Sequence, residues 1–221
     1  MPQLNTYIIE RWTMLSDFVY KTCEGRDSSH GHSHMEKVAS TSHIIAQNDY
    51  ATDQDYLSIL MDAITIGWLH DVCDHKYDHD GTLERQLDEF GFANIANFEH
   101  IKKAIKLISY SSENTAILAG TPIDYEAVLG SHYTIARHIA SDADKLEAIG
   151  LIGITRCNQY TQHSDPTATD QQIVIAVIAH AREKLLRLKD EFIRTPTGKL
   201  LAIPLHHEMI NCLNTMMPDF F

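Results

Sequence analysis

The stretch Ala63-Ile64-Thr65-Ile66-Gly67-Trp68-Leu69-His70-Asp71 decides how this chain is read. A run with the character of protein core leads directly into an imidazole and a carboxylate. An ionised Asp withdrawn from water is costly unless something pairs with it, and a metal ion is a strong pair. Two other segments offer further donors: His30-Gly31-His32-Ser33-His34 upstream and Asp142-Ala143-Asp144-Lys145 downstream. Alone, His70-Asp71 is an ordinary helix end. The three segments together point to a mononuclear metal site of two histidines and two carboxylates in a helical protein.

Working outward from that run, most of the chain carries helical period. Ile8, Trp12, Leu15, Phe18 and Val19 line one face of a first helix, closed by Gly25 and Asp27. Met35, Val38, Ser42 and Ile45 mark a second helix, with His34 one turn before Val38 on the same side. A third runs from Tyr56 to His70, and Asp74 to Gly81 reads as a loop, after which Thr82 can cap the next helix. Ile101, Ala104, Ile105 and Ile108 place a helix over Phe98 to Ile108. Ser109 to Thr121, rich in small polar residues, reads as a loop. Asp142 to Tyr160 reads as a helix whose Ala143, Ala148, Gly150 and Gly153 allow close packing. After the polar stretch from His163 to Asp170, a long helix is expected from about Gln171 to Phe192. Pro196-Thr197-Gly198 breaks the pattern before a last helix towards Met216. No segment alternates as a strand. The expectation is one all-α domain over residues 1–221.

A chain of 221 residues with 44% hydrophobic and 22% charged residues can bury a full core. The formal net charge of −12 is spread along the length, which disfavours binding to nucleic-acid backbone. It leaves room for a small anionic substrate, because a metal and a few cations can reverse the sign inside a cleft. Cys23, Cys73, Cys157 and Cys212 form no CxxC pair and read as reduced thiols. The first residues lack a signal-peptide pattern, and no segment reaches the ~20 apolar residues that span a bilayer. A soluble cytoplasmic protein is expected.

Mixed imidazole and carboxylate ligands suit Mn, Fe, Co, Ni or Zn and fit Mg less well. His34 lies on the inner face of its helix, His70 and Asp71 end theirs, and Asp144 comes from another. Residues four apart share a helix face, so His30 and His34 cannot both be joined by His32 on one ion. His32 is expected to be exposed, and His30 to be a cap-region or supporting residue. Asp142 and Asp144 both satisfy the helical wheel, and Asp142 can alternatively cap its helix.

The order His34, His70-Asp71, Asp144, with Ala143-Asp144-Lys145 in place of an Ala-Asp-Arg/Lys signature, resembles the HD-domain metal-dependent phosphohydrolase superfamily. The likeness extends to its small stand-alone bacterial-type branch. It runs through Asp27-Ser28-Ser29-His30-Gly31-His32-Ser33-His34-Met35-Glu36-Lys37-Val38, Leu69-His70-Asp71-Val72-Cys73-Asp74-His75-Lys76 and Asp142 to Ile154. It continues through Glu183 to Asp190 and Thr197-Gly198-Lys199, so it covers roughly Asp27 to Met209. The resemblance implies a single HD-type helical bundle, with its motif core over about 27–160 and C-terminal helices over about 171–217. It implies one divalent metal on His34, His70, Asp71 and Asp144, manganese first, with Fe, Co, Ni, Zn or Mg as alternatives. Activated by that metal, water would cleave a phosphate ester or anhydride of a nucleotide or small phosphorylated metabolite. The products would be those of a pyrophosphohydrolase or a phosphatase. Asp74 and Lys76 match positions lining the site: Lys76 for phosphate contact, Asp74 for proton handling or water positioning. Arg156 is a second phosphate candidate, since a guanidinium binds phosphate through two bonds. HD-type domains also form homodimers.

Taken without that resemblance, Lys76 is a solvated loop lysine and Arg156 a partner of Glu147 or of a neighbouring carboxylate. His75, His79, His138 and His163 carry no specific signal, and Trp12 and Trp68 read as core. The chain departs from the pattern at Gly31, where an acid is usual, at Lys37 and Lys145, where Arg is common, and over Ser111 to Tyr133. These departures bear on substrate choice. The missing acid also motivates a second reading, a catalytically weak or inactive module that binds metal or nucleotide.

Overall fold

The computed structural model describes residues 2–26 and 30–217, with side chains from Thr6 onward. Asp27, expected to close the first helix, lies outside the described residues together with Ser28 and Ser29. The chain falls into two compact units, residues 1–141 and 142–221. Among the described residues every regular element is helical.

The first unit is organised around α3 (Tyr56–Leu69), the helix of the deciding stretch. A helix that is apolar all round must be covered on every side. Ile59, Leu60, Met61, Ala63, Ile64, Ile66, Trp68 and Leu69 are all buried. Thr65 is buried as well and donates its hydroxyl proton to the Met61 carbonyl at 2.6 Å, so its own hydroxyl is satisfied within the helix. α2 (His32–Tyr50) packs along α3, presenting Met35, Val38, Ala39, Ser42, Ile45 and Ala46 from its buried face. Contact is tight at Gly67. A Cβ built there would stand 3.1 Å from the Ala39 Cα and 3.1 Å from the Ser42 hydroxyl oxygen.

α1 (Pro2–Thr22) covers another side of α3, with Trp12 meeting Trp68 edge to face at a centroid distance of 5.3 Å. Phe18 stacks on Phe90 of α4 (Thr82–Asn94) at 4.0 Å. Thr82 does not cap that helix. It is the first helical residue, after Gly81, and the Asp78 carboxylate accepts from the Leu83 and Glu84 amides at 3.0 and 2.9 Å. A longer loop than the usual capping turn delivers the acceptor.

α5 (Phe98–Lys106) forms as expected, but Ser109 to Thr121 is not a loop. Tyr110–Leu118 makes α6, with Ser109 accepting from the Ser112 amide. A tertiary pair overrides the weak local preference. Glu113 is buried against the fully buried Arg137, whose Nη2 donates to it at 3.1 Å. The same guanidinium donates to the Leu107 carbonyl and to the Tyr125 hydroxyl and lies 4.0 Å from the Tyr125 ring centroid. Arg137 belongs to α7 (Tyr125–Glu147), inside which the two units divide.

In the second unit, Asp142 to Tyr160 is not one helix. α7 ends at Glu147, and α8 (Gly150–Ser164) starts afresh after an extended Ile149. Gly150 has φ of 79°, a left-handed conformation that a side chain disfavours. The small residues serve both the bend and the close packing expected of them: a Cβ on Gly153 would lie 2.1 Å from the Ala148 carbonyl oxygen, and one on Gly150 3.2 Å from the Leu205 side chain. α9 (Asp170–His180) begins with a reciprocal Thr169–Gln172 cap. The chain then continues through two widened turns, Ala181–Leu185 and Leu188–Phe192.

The break expected at Pro196-Thr197-Gly198 falls after Phe192, and this stretch itself forms the first turn of the last helix, α10 (Pro196–Met216). Proline lacks only an N–H that the first turn would leave unused, and Thr195 accepts from the Gly198 amide at 3.1 Å. Asp142, in the body of α7, caps no helix of its own. Its Oδ2 accepts from the Arg194 amide, the Thr195 amide and the Thr195 hydroxyl, at 2.9, 2.6 and 2.7 Å. The four cysteines are free thiols, and no helix among the described residues is long and apolar enough to cross a membrane.

The contact at Gly67 yields a test. Gly67→Val must force α2 and α3 apart, and overpacking of this kind costs about 1–3 kcal/mol. The urea midpoint should fall accordingly; an unchanged midpoint would show that the helices can separate freely.

Candidate metal centre

The site begins at the two helix ends nearest that contact. His34 sits in the first turn of α2 and is buried; His70 is the residue that terminates α3. Their rings lie 5.3 Å apart, centroid to centroid, and 66° from parallel. The His70 Nδ1 lies 2.9 Å from the Gly67 carbonyl, an acceptor only, so Nδ1 carries the proton. That leaves the Nε2 lone pair to bind a cation, and fixing the opposite ring nitrogen in this way is how proteins orient metal-binding histidines.

Asp71 then turns its carboxylate back over both rings. Its Oδ2 is 3.5 Å from the His70 Nε2 and 3.8 Å from the His34 Nε2. Two donors each about 2.1 Å from one ion stand at most about 4.2 Å apart. Both separations satisfy that limit. Two imidazoles and a carboxylate also make a donor set suited to a first-row divalent metal.

His30, Asp74 and Lys76 lie close by. His30, Asp71 and Asp74 bring one potential ligand atom each to within 4.8 Å of one another. The His30 Nε2 is 3.9 Å from the Asp74 Oδ2. It is 3.2 Å from the Lys76 Nζ, and because an ammonium can only donate, His30 is the acceptor there. The Asp74 Oδ1 also accepts from the Lys76 amide at 2.9 Å, which holds the turn in shape. Lys76 is exposed but engages His30 rather than water alone.

His32 is half-buried, against the expectation of exposure. Its Nε2 is 2.8 Å from the Ser16 hydroxyl and its ring packs against Trp68 and Tyr20. The first turn of α2 faces α1, so even its middle histidine is covered.

Arg26 carried no sequence signal. Its guanidinium donates to the Asp71 and Val72 carbonyls at 2.8 and 2.6 Å and lies over the Tyr77 ring at 4.5 Å. Nothing local could have shown this, because the partners lie 45 and 46 residues away. Away from the site, His132 meets Asp62 at 2.8 Å, another contact absent from the sequence reading. Burial holds the Asp62 carboxyl above its usual range, while the bond from His132 lowers it.

Asp144 and Arg156 belong to the second unit. Asp144 is half-buried on α7 between the buried Ala143 and Lys145. Arg156 donates to the Glu147 carbonyl at 3.2 Å, at the end of α7. The nearby Asp142 carboxyl is pushed upward by burial and pulled back by its bonds from Thr195.

The architecture has close counterparts among solved structures. An HD-superfamily hydrolase from Bacillus thuringiensis superposes with a TM-score of 0.61, covering 98% of both chains at 20% identity. The chain shares the fold of that hydrolase. A crystal structure of Bacillus subtilis YpgQ in complex with ADP superposes with a TM-score of 0.65 at 21% identity, covering 96% of this chain and 98% of that one. In sequence, the uncharacterized protein YpgQ of B. subtilis strain 168 is 27% identical over 199 residues, spanning 87% of this chain and 86% of that protein. No family model matches the chain.

One thiol stands beside the centre. Burial pushes Cys73 up to about 12, helped by Asp78, Glu84 and Asp88 and opposed by Lys102. At pH 8 the thiol is therefore protonated, and only a thiolate alkylates quickly. Iodoacetamide should modify Cys73 far more slowly in the folded protein than after denaturation, as followed by peptide mass spectrometry. Equal rates would contradict the half-buried, protonated assignment.

Proposed function

We propose that this chain is a metal-dependent phosphohydrolase that cleaves a phosphate ester or anhydride of a nucleotide or small phosphorylated metabolite. The carrying observation is the convergence of His34 and His70 on one oxygen of Asp71, with the His70 proton committed to the Gly67 carbonyl. The HD fold and the ADP complex of YpgQ support a phosphorylated ligand, and a nucleotide in particular.

On this reading, the cation is held by His34, His70 and Asp71, with Asp144 as the fourth ligand on the strength of the Ala143-Asp144-Lys145 match. The commitment of the Asp142 Oδ2 to the start of α10 favours Asp144 over its neighbour. Manganese is the first candidate, with Fe, Co, Ni, Zn and Mg as alternatives. When bound, such an ion supplies Lewis acidity towards a phosphoryl oxygen and acidifies water.

The chain's own residues do the rest. Lys76 can leave His30 for a phosphate oxygen, since both are acceptors and the phosphate is charged. Arg156 is the second phosphate contact. Asp74, held against the Lys76 amide, is placed to take a proton or orient a water.

Gly31, buried at the start of α2, keeps a second reading open, because the acid usual in the branch is absent there. In that reading the chain binds metal and nucleotide with little or no turnover.

Protein stripped of metal and reloaded with Mn2+, assayed on a panel of nucleotides and phosphomonoesters, decides between the two. Turnover is expected, and its product distinguishes a pyrophosphohydrolase from a phosphatase. Binding without turnover would leave the second reading in place. Asp71→Ala should lose both activity and most metal while keeping its helical circular dichroism; full activity with normal metal content would defeat the ligand assignment. Lys76→Ala should retain metal and lose on the order of tenfold in kcat/KM, about 1.4 kcal/mol. Unchanged kinetics would return Lys76 to a solvated role.

A further inference from the structure

Arg26 sits just past α1, where the chain reverses through Gly25, whose φ is 80°. The reversal sends its guanidinium towards the end of α3 rather than out to solvent. There two adjacent carbonyls, those of Asp71 and Val72, each receive one Nη at 2.8 and 2.6 Å. Both carbonyls belong to the turn just past α3, where the Asp71 carbonyl also accepts from the Asp74 amide at 3.1 Å, and the guanidinium adds a charge-assisted bond to each. The rigid fork of a guanidinium matches two neighbouring acceptors in a way that an ammonium cannot. Tyr77, from the turn that follows, lies beneath the fork at 4.5 Å and fixes its plane.

The grip falls on the residue that supplies the carboxylate facing both imidazoles. His70 is oriented through its ring, by the Gly67 carbonyl; Asp71 is oriented through its backbone, by Arg26. Released from Arg26, the turn would keep its backbone bonds from the Val72 and Asp74 amides but lose both guanidinium bonds, and the Asp71 and Val72 peptide planes would be held less firmly. The Oδ2 would then lose its standing 3.5 and 3.8 Å from the two ring nitrogens.

We infer that Arg26 is a positioning residue for the metal centre, holding the Asp71 backbone so that its carboxylate meets the same cation as His34 and His70. The inference rests on the metal-site reading proposed above. It assigns Arg26 no contact with cation or substrate. Its effect should therefore appear in metal affinity and coordination.

The test titrates Mn2+ into the metal-free full chain by calorimetry for the native protein, Arg26→Ala and Arg26→Lys. It also records the visible absorption spectrum of the Co2+-loaded forms. Loss of an outer contact to a metal ligand typically weakens binding about 10- to 100-fold. That loss is expected for Arg26→Ala, with cooperative unfolding retained. Arg26→Lys, which keeps the charge but can satisfy one carbonyl at a time, should fall between the two. The Co2+ bands should shift in both variants, a change that a purely structural role would not produce.

Equal affinity and an identical Co2+ spectrum in folded variants would overturn the inference while leaving the metal site intact. Native protein that binds no divalent cation would instead overturn the metal-site reading itself. Should Arg26→Ala fail to fold, Arg26→Lys decides. Failure of both to fold would count against the inference, because it would make Arg26 a structural residue.

Discussion

The first unit depends on the close approach of α2 and α3 at Gly67, Ala39 and Ser42. A missing side chain on one helix meets a small residue and a hydroxyl on the other. Ser42 turns its proton to the Val38 carbonyl at 2.8 Å, so the contact strands no polar group. This approach sets the distance between the start of one helix and the end of the other. His34 occupies the first of those positions and His70 the second. Gly67 also contributes the carbonyl that fixes the His70 ring. Core packing and site geometry thus meet in a single residue.

Polar groups around the site are arranged chiefly through the backbone. The Gly67 carbonyl orients His70, the Asp71 and Val72 carbonyls receive Arg26, and the Lys76 amide holds Asp74. Backbone partners leave side-chain donors available for a ligand, which suits a site that must bind an ion and an anion together. The same economy recurs elsewhere. Asp78 spends its carboxylate on the first amides of α4, and Asp142 spends one oxygen on the entry to α10.

Much of this was legible in the sequence. The α2 and α3 faces follow from helical period, and each residue expected on the inner side of α2, from Met35 to Ile45, is buried. The turn from Asp74 to Gly81 and the helix from Phe98 were equally readable. The readings failed where an element draws its stability from a remote partner. Tyr110–Leu118 looks like a loop until Arg137 is placed beside Glu113. Thr82 looks like a cap until Asp78 reaches the amides beyond it. His32 looks exposed until α1 brings up Ser16 and Tyr20.

The sequence by itself determined that the chain is helical, which helix is covered on all sides, and that a histidine and an aspartate stand where that helix ends. These follow from short-range period and from the cost of burying an unpaired charge, both readable within a few turns. Only the tertiary structure decided that His34 and His70 face one oxygen of Asp71, that Arg26 grips the backbone behind it, and that Ser109 begins a helix. Each of those depends on chain segments that are distant in sequence. Hydrogen-bond and ion-pair geometry is set by distances of a few ångströms that no local pattern encodes.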